Sequence, residues 1–411
     1  MAGPLDGVTV VALEQAVSAP FASRQLADLG ARVIKIERVG DGDFARAYDD
    51  EIRGMASHFV WVNRNKESVA LDFTVPSGRA VLDELIASAD VFVQNLAPGT
   101  AERMGLSAAR LVATHPRLIA CDVTGYGEGG PYAAKRAYDL LVQAESASIA
   151  TTGWPDRPAK PGIAIADLSA GMYAFSSVLA ALYERERTGR GRAISISMFD
   201  AICELMGYSI YFTSYSGRTH TPNGISHPSL SPYEAFETAD GRKVVVGVQN
   251  DREWARLATR VLGRPELAED PRFATGPART AHREQVTALC GQVLARMTLE
   301  EAIEALDNAG VACGRVNLPN ELIEHPQLEA RRRWRDVDSP VGPIRSLLPP
   351  PVSPGWDLRM DRIPDVGDST VAILKELGRI DSEIDDLKRA GVVGVPATDG
   401  PVEDKGAEHG S

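Results

Sequence analysis

An α/β fold with a mostly parallel sheet, joined to a smaller α+β domain, is what the sequence predicts. In the first third, short β-branched runs alternate with helical stretches at the spacing of βαβ units. Further on, a loop with Pro222, Pro228 and Pro232 opens a region of different pattern. Near the C-terminus two more helical segments stand after a proline-rich stretch and can return to the first sheet.

The elements follow in order. Val8–Leu13 reads as a strand, Phe21–Leu29 as a helix closed by Gly30, and Arg32–Glu37 as a second strand. Ser77–Ser88 reads as a helix, Val91–Gln94 as a strand, and Leu118–Val123 as a strand entering the turn-rich Gly125-Tyr126-Gly127-Glu128-Gly129-Gly130-Pro131. A long helix begins near Asp167, carries Leu168, Met172, Phe175, Leu179 and Leu182 at helical spacing, and stops at Gly189-Arg190-Gly191. Its Met and Phe stripe is core. Ala193–Ser197 is the next strand. The second region holds the strand Lys243–Val248 and the helices Arg252–Leu262 and Leu299–Ala309. Beyond Pro349-Pro350-Pro351, Ser369–Leu377 and Ser382–Ala390 read as helices. The expected division is a large α/β domain over 1–224, a small α+β domain over 225–325, a linker and return over 326–396, and a disordered tail over 397–411. No internal repeat is visible.

A chain of 411 residues, 44% hydrophobic, can bury sizeable cores in two or three domains. A formal charge of −12 excludes a protein built to wrap nucleic acid, so a polyanionic ligand would need a local basic cluster. The cysteines Cys121, Cys203, Cys290 and Cys313 lie far apart with no C-x-x-C pair, so neither a metal site nor a disulfide framework is expected, and a reducing cytoplasm fits. The first basic residue is Arg24, and the most apolar stretch, around 169–183, falls short of the roughly 18–20 residues of a membrane span. Neither a signal peptide nor a membrane helix is expected.

After the first strand stands Glu14-Gln15-Ala16-Val17-Ser18-Ala19-Pro20, without the G-x-G-x-x-G that lets a pyrophosphate approach the backbone. A nicotinamide or flavin enzyme is therefore not expected. The G-x-S-x-G, H-E-x-x-H and G-x-x-x-x-G-K-[ST] motifs are absent too, which removes the common hydrolase, zinc-protease and P-loop readings. What remains is Asp167, a carboxylate opening a long apolar helix after a run of small residues. Taken alone it reads first as a helix cap, and the same placement also fits a nucleophile in a cleft. Arg38, Arg103 and Arg136 stand at element ends. Singly they are solvated charges; gathered at the carboxyl edge of a parallel sheet they form a phosphate cluster.

Several short stretches then combine: Pro4-Leu5-Asp6-Gly7, the run 29–38 (LGARVIKIER), the run 65–72 (NKESVALD), Gly125-Tyr126-Gly127, Asp167, Thr188-Gly189-Arg190-Gly191, and the run 310–317 (GVACGRVN). In order and spacing the chain resembles the family III CoA-transferases (CaiB/BaiF type), the family of formyl-CoA transferase and carnitine CoA-transferase, over residues 4–392. The resemblance implies a Rossmann-like large domain built from both chain ends, a smaller domain, and a homodimer of interlocked subunits. It implies that Asp167 attacks an acyl-CoA and carries aspartyl anhydride and aspartyl-CoA thioester intermediates. Coenzyme A and its acyl thioester are then substrates, with no tightly bound cofactor.

By the same resemblance, Val17 and Ser18 lie beside the nucleotide and Arg38 near the phosphates. Leu71, Asp72 and Thr74 run along the adenosine, and Asn95, Leu96, Ala97, Arg103, Arg136, Tyr138 and Asp139 along the rest of the CoA. Three positions depart from the family pattern. Val17 replaces a glutamine of formyl-CoA transferase, which argues against the formyl/oxalate substrate pair. Ala97 stands where many members have arginine, and Arg136 where some have lysine. The glycine-rich loop of the oxalate enzyme is replaced by the run 224–233 (GISHPSLSPY), whose His227 is a candidate for orienting a substrate carboxylate. A succinyl-CoA donor with a dicarboxylate or branched acceptor is the expected pair.

Two rivals remain at this stage. An α-methylacyl-CoA racemase uses a histidine in a Gly-His-Asp triplet where this chain has Ala137-Tyr138-Asp139, and tyrosine is a poor base at neutral pH. A non-catalytic acyl-CoA-binding protein would have no need of Asp167.

Overall fold

The computed structural model describes residues 3–396, and the tail expected over 397–411 lies outside the described residues. The chain divides into two compact units: one gathers the residues up to Ser146, Gly162–Tyr208 and the chain from Arg333 on, the other Ala147–Pro161 and Ser209–Arg332.

The first unit is built on β1 (Thr9–Leu13), α1 (Ser18–Asp28), β2 (Arg32–Glu37), α2 (Ser57–Asn63), β3 (Lys66–Leu71), α3 (Pro76–Ser88), β4 (Val91–Gln94), α4 (Thr100–Arg103), α5 (Ala108–Thr114), β5 (Ile119–Thr124) and α6 (Asp139–Glu145). After the hairpin of β6 (Gly153–Trp154) and β7 (Arg157–Pro158), which belongs to the second unit, come α7 (Ile165–Thr188), β8 (Ala193–Ser197) and α8 (Met198–Leu205). The second unit carries the antiparallel sheet of β9 (Tyr233–Glu237), β10 (Lys243–Gly247) and β11 (Ala312–Arg315) around its own core with Trp254, Phe273 and Leu306. The chain returns to the first unit through β12 (Trp334–Val337), β13 (Ile344–Leu347) and β14 (Val393–Gly394).

The seven-stranded sheet has the order β14-β3-β2-β1-β4-β5-β8; six strands are parallel and β14 pairs antiparallel with β3. Its six parallel strands follow the order of doubly wound nucleotide-binding sheets, which reverses between β1 and β4. Both faces are covered, so the strands read as continuous apolar runs whose alternate residues serve different cores. Val10, Ala12, Val33 and Val93 pack with α1, α7 and α8 on one face; Val11, Leu13, Ile34 and Phe92 pack on the other with α3 and the helix Thr370–Glu376.

Two helices differ from their sequence expectation in ways that bear on the site. α1 starts at Ser18, not at Phe21, and takes Pro20 into its first turn, where a missing N–H costs no hydrogen bond. α7 starts at Ile165, so Asp167 is its third residue rather than its cap, and the cap position falls to Ala164, which has no capping side chain. At 24 residues α7 is longer than the apolar stretch 169–183, and by length and composition it could cross a bilayer. Here it is a core helix, burying Ala166, Ala170, Ala174, Val178 and Ala181.

Candidate active site

Where strand order reverses, the loops leaving neighbouring strands diverge and open a crevice at the carboxyl edge of the sheet. Into this edge the fold sends the loop after β1, with Val17 and Ser18, and the loop after β4, with Asn95, Leu96 and Ala97. The two loops are tied together: Gln15 N–H donates to Asn95 Oδ1 at 2.9 Å, and Asn95 Nδ2 donates to Gln15 O at 2.8 Å. Ala16 takes the left-handed region at φ 62°, and its N–H donates to Asp43 Oδ1 at 3.1 Å.

Beneath this loop lies a charge cage that neutralises itself. Lys35, 0% exposed in the middle of β2, donates to Asp43 at 2.8 Å and lies 3.5 Å from Glu14. Lys66 donates to Glu14 at 2.6 Å, to Pro20 O at 2.9 Å and to Asn63 Oδ1 at 3.0 Å. Burial disfavours every charge here. For Glu14, Lys66 and Lys35 outweigh burial and hold its carboxyl below the usual range, whereas burial wins at Lys66 and lowers it to about 8. Charges this dry persist only when paired, so the cage fixes the backbone that leads into α1.

Asp167 sits half-buried in the first turn of α7. Its own carboxylate does not satisfy the helix start; Asp139 does, from 28 residues upstream. Asp139 Oδ1 accepts from Ala166 N–H at 2.9 Å and from Asp167 N–H at 3.3 Å, while Oδ2 accepts from Gln143 Nε2 at 2.6 Å. Burial first, and then the Asp139 charge, push Asp167 up to about 7, against the lowering effect of Ser18. Two carboxyls therefore adjoin at one helix end: Asp139 caps it, and Asp167 takes no part in the cap.

The close approach of α1 to α7 depends on Gly171, one turn beyond Asp167. A Cβ added there would stand 2.7 Å from Ser18 O and 3.0 Å from Phe21 Cδ1.

The remaining sequence-derived residues fall as follows. Arg38 directly follows β2, and both it and Arg136 are exposed; Arg103 ends α4 and donates to Thr100 Oγ1 at 2.9 Å. Asp72 and Thr74 form the turn after β3, with Asp72 Oδ1 accepting from Thr74 N–H at 2.9 Å, whereas the Leu71 side chain belongs to the core. Leu96 N–H donates to Gln94 Oε1 at 2.7 Å, Ala97 is exposed, and Tyr138, 59% exposed, immediately precedes α6. The Val17 side chain is 4% exposed and packs inward. His227 lies in the second unit, stacked on Tyr233 at 5.3 Å, with Nδ1 accepting from Ser229 N–H at 3.1 Å.

Sequence reasoning missed two neighbours. Tyr48 follows a short 3₁₀ turn after β2; burial first, then the charges of Asp43 and Asp167, push its phenol up to about 12. His58 meets Tyr48 edge-on at 5.6 Å. Nothing in the spacing of 40–60 points to the pair. The buried Lys35 did leave a signal, a charge inside the apolar run Val33-Ile34-Lys35-Ile36.

A doubly wound sheet without the glycine fingerprint and a half-buried carboxyl in the first turn of α7 narrow the comparison. A family described as CoA-transferase family III matches residues 5–370. An acyl-CoA transferase of Fusarium pseudograminearum is 34% identical over 95% of this chain and 88% of its own. A succinate–glutarate CoA-transferase of Agrobacterium fabrum is 33% identical over 92% of this chain and 96% of its own. The crystal structure of a CAIB/BAIF family protein from Brucella suis, 34% identical, superposes with a TM-score of 0.81 over 92% of this chain and 100% of that one. With a family match over residues 5–370, and with relatives 33–34% identical over 88% or more of their own length, the chain belongs to CoA-transferase family III and is an enzyme of that family.

Proposed function

We propose that the enzyme moves CoA from succinyl-CoA to a second carboxylic acid through covalent intermediates on Asp167. The observation that carries this reading is the Asp167 carboxyl itself: it stands half-buried in the first turn of α7, and Asp139 rather than Asp167 meets the N–H groups of the helix start. The name of the Agrobacterium relative supports the succinyl donor and a dicarboxylate acceptor.

The chemistry follows from an ionised carboxylate acting as nucleophile without a base. Asp167 attacks the thioester carbonyl; the C–S bond breaks, leaving a mixed anhydride and CoA thiolate. The thiolate attacks the aspartyl carbonyl, the donor carboxylate departs, and an aspartyl-CoA thioester remains. The acceptor carboxylate attacks that thioester, releasing thiolate and forming a second anhydride. Thiolate attack on the acceptor carbonyl frees Asp167 and completes the new acyl-CoA.

Each addition builds an oxyanion that needs donors. The N–H groups of Ala166 and Asp167 at the start of α7 are taken by Asp139. The first turn of α1 offers others: a helix has no internal acceptor for its first N–H groups, here those of Ser18 and Ala19. Arg38, Arg103 and Arg136 are the residues for the CoA phosphates, and the turn Asp72–Thr74 for the adenosine. His227, its ring fixed on Tyr233, is the residue for the substrate carboxylate. The exposed apolar residues of α7 and α8, among them Tyr183 and Leu205, favour a homodimer. Four unpaired cysteines fit a reducing, cytoplasmic setting.

The test is peptide mass spectrometry after mixing the enzyme with a panel of acyl-CoAs and quenching with hydroxylamine. A hydroxamate at Asp167 is expected, most strongly with succinyl-CoA. Turnover of acyl-CoA by α-proton exchange in deuterated water, with no Asp167 label, would replace this reading with a racemase.

A further inference from the structure

The turn after the first strand is where nucleotide-binding sheets of this order carry a glycine, because the chain bends tightly there to enter the helix. This chain has no glycine between Leu13 and α1, and the bend falls on Ala16, at φ 62° in the left-handed region. A Cβ makes that region roughly tenfold less favourable for alanine than for glycine, so the bend must be held from outside.

Side chains from both neighbouring strands hold it. Asn95, after β4, engages both backbone groups of Gln15, with Oδ1 accepting from its N–H at 2.9 Å and Nδ2 donating to its carbonyl at 2.8 Å. Asp43, after β2, takes the next N–H in the chain, that of Ala16, on Oδ1 at 3.1 Å. Asp43 cannot swing away. Oδ1 also accepts from Ala45 N–H at 3.0 Å, Oδ2 accepts from Lys35 Nζ at 2.8 Å, and the Asp43 N–H donates to Glu37 Oε2 at 2.8 Å. Lys35 reinforces the same bend by donating to Glu14 O at 3.4 Å. What the bend aims is the start of α1, two residues on. There α1 crosses α7 so closely that a Cβ on Gly171, one turn beyond Asp167, would stand 2.7 Å from Ser18 O.

We propose that Asp43 is a positioning residue of the reaction: by holding Ala16 left-handed it replaces the missing glycine of the turn and sets the start of α1 against the helix that carries Asp167. This rests on the reading of Asp167 as nucleophile. The Asp43 side chain is 0% exposed, so it is closed to substrate and acts only through the backbone it holds. No bond to it forms or breaks.

The experiment compares wild type, D43A, A16G, the double variant D43A/A16G, and A16V. Three quantities are read: CoA affinity by titration calorimetry, the rate of hydroxamate formation at Asp167 under saturating succinyl-CoA, and the midpoint of urea unfolding. D43A should acylate about tenfold or more slowly, with CoA affinity within about threefold of wild type, because a small misplacement costs more in the reacting complex than in binding. Its midpoint should fall, since Lys35 loses its nearest carboxylate. Adding A16G should return the rate to within about threefold of wild type and leave the midpoint low: glycine takes the bend unaided but gives Lys35 no partner. A16G alone should acylate at close to the wild-type rate. A16V leaves the cage whole and makes the bend costlier, so it should slow acylation by about threefold or more, and it reads the bend even where D43A does not fold.

A D43A enzyme that acylates at the wild-type rate would overturn the proposal and leave Asp43 a stability residue. So would a double variant as slow as D43A, or an A16V enzyme as fast as wild type. A wild-type enzyme that transfers CoA with no hydroxamate at Asp167 would overturn the nucleophile reading, and this proposal with it.

Discussion

Replacing Asp167 by asparagine should make the protein more stable, and only above acid pH. The folded-state carboxyl is pushed up to about 7 from an ordinary value of 3.8, by burial and by the Asp139 charge. In the unfolded chain it ionises freely. Between those two values the native state binds more protons than the unfolded state, so stability falls as pH rises from about 4 to about 7 and is level beyond. The protein therefore carries an ionised Asp167 at neutral pH at a cost in stability. At 1.36 kcal/mol per pH unit, a rise of roughly three units amounts to about 4 kcal/mol, an upper bound because the half-buried side chain keeps some contact with water.

An asparagine at this position keeps the size and shape of the side chain and removes the charge. At roughly 2 °C per kcal/mol for a unit of this size, D167N should melt up to about 8 °C higher than wild type near pH 8. Near pH 4 the two should melt together, since wild-type Asp167 is then protonated in the folded state. Differential scanning calorimetry at a series of pH values reads both limits. A gain of equal size at all pH values would mean that the substitution acts by packing, and no gain at pH 8 would mean that Asp167 is not strained; either result refutes the argument. Activity should be lost at every pH.

Three further perturbations test the surroundings. D139N keeps an oxygen for the α7 N–H groups but removes the like charge, so the acid limb of the pH–rate profile should move below about 7 with little loss of stability; D139A should in addition cost about 1 kcal/mol of stability by urea unfolding, the value of a helix cap. K35M leaves the buried Asp43 carboxylate without its cation, while Glu14 keeps Lys66, and should destabilise by roughly 3–5 kcal/mol in the same assay, whereas an intact midpoint would show Lys35 to be dispensable in the cage. R103Q and R136Q should each weaken CoA binding roughly three-fold to ten-fold at low ionic strength, with the loss shrinking at high salt; a salt-independent loss would place these side chains elsewhere than on phosphates.

How far these features could be read from the sequence depends on the distance over which each is determined. Strands buried on both faces announce themselves as apolar runs, so β1, β2, β4 and β5 were legible; β8, at the sheet edge, showed instead as the alternation Ala-Ile-Ser-Ile-Ser, and the end of α7 was marked by Gly189, a left-handed residue whose N–H returns to Arg185 O. The start of α7 was harder because the carboxylate that caps it, Asp139, comes from another helix. Local rules assign the cap to the nearest suitable side chain and so place Asp167 three residues too early in the helix. Pro20 misled in the same way at α1, since a proline marks a boundary only to within the first turn. In the second unit, β9 begins at Tyr233, the last residue of what the sequence presents as a proline-rich loop, and its short run Tyr-Glu-Ala-Phe-Glu has too few apolar residues to stand out.

The candidate site contains two clusters of buried charge treated in opposite ways, and the contrast explains their roles. In the cage, Lys35 and Lys66 answer Glu14 and Asp43, so removing water costs little net charge and the loop before α1 is fixed. At Asp167 no cation among the described residues answers, and a second carboxylate stands nearby. A site selected for stability alone would pair Asp167 as Glu14 is paired. But a carboxylate locked in an ion pair is a poor nucleophile, because its lone pairs are already engaged and the pair must be broken before it can attack a carbonyl. The rigid, neutral cage supplies the positioning, and the unpaired carboxyl keeps its reactivity. If that division holds, loosening the cage should slow Asp167 acylation without moving its apparent pKa, while changes at Asp139 should move the pKa.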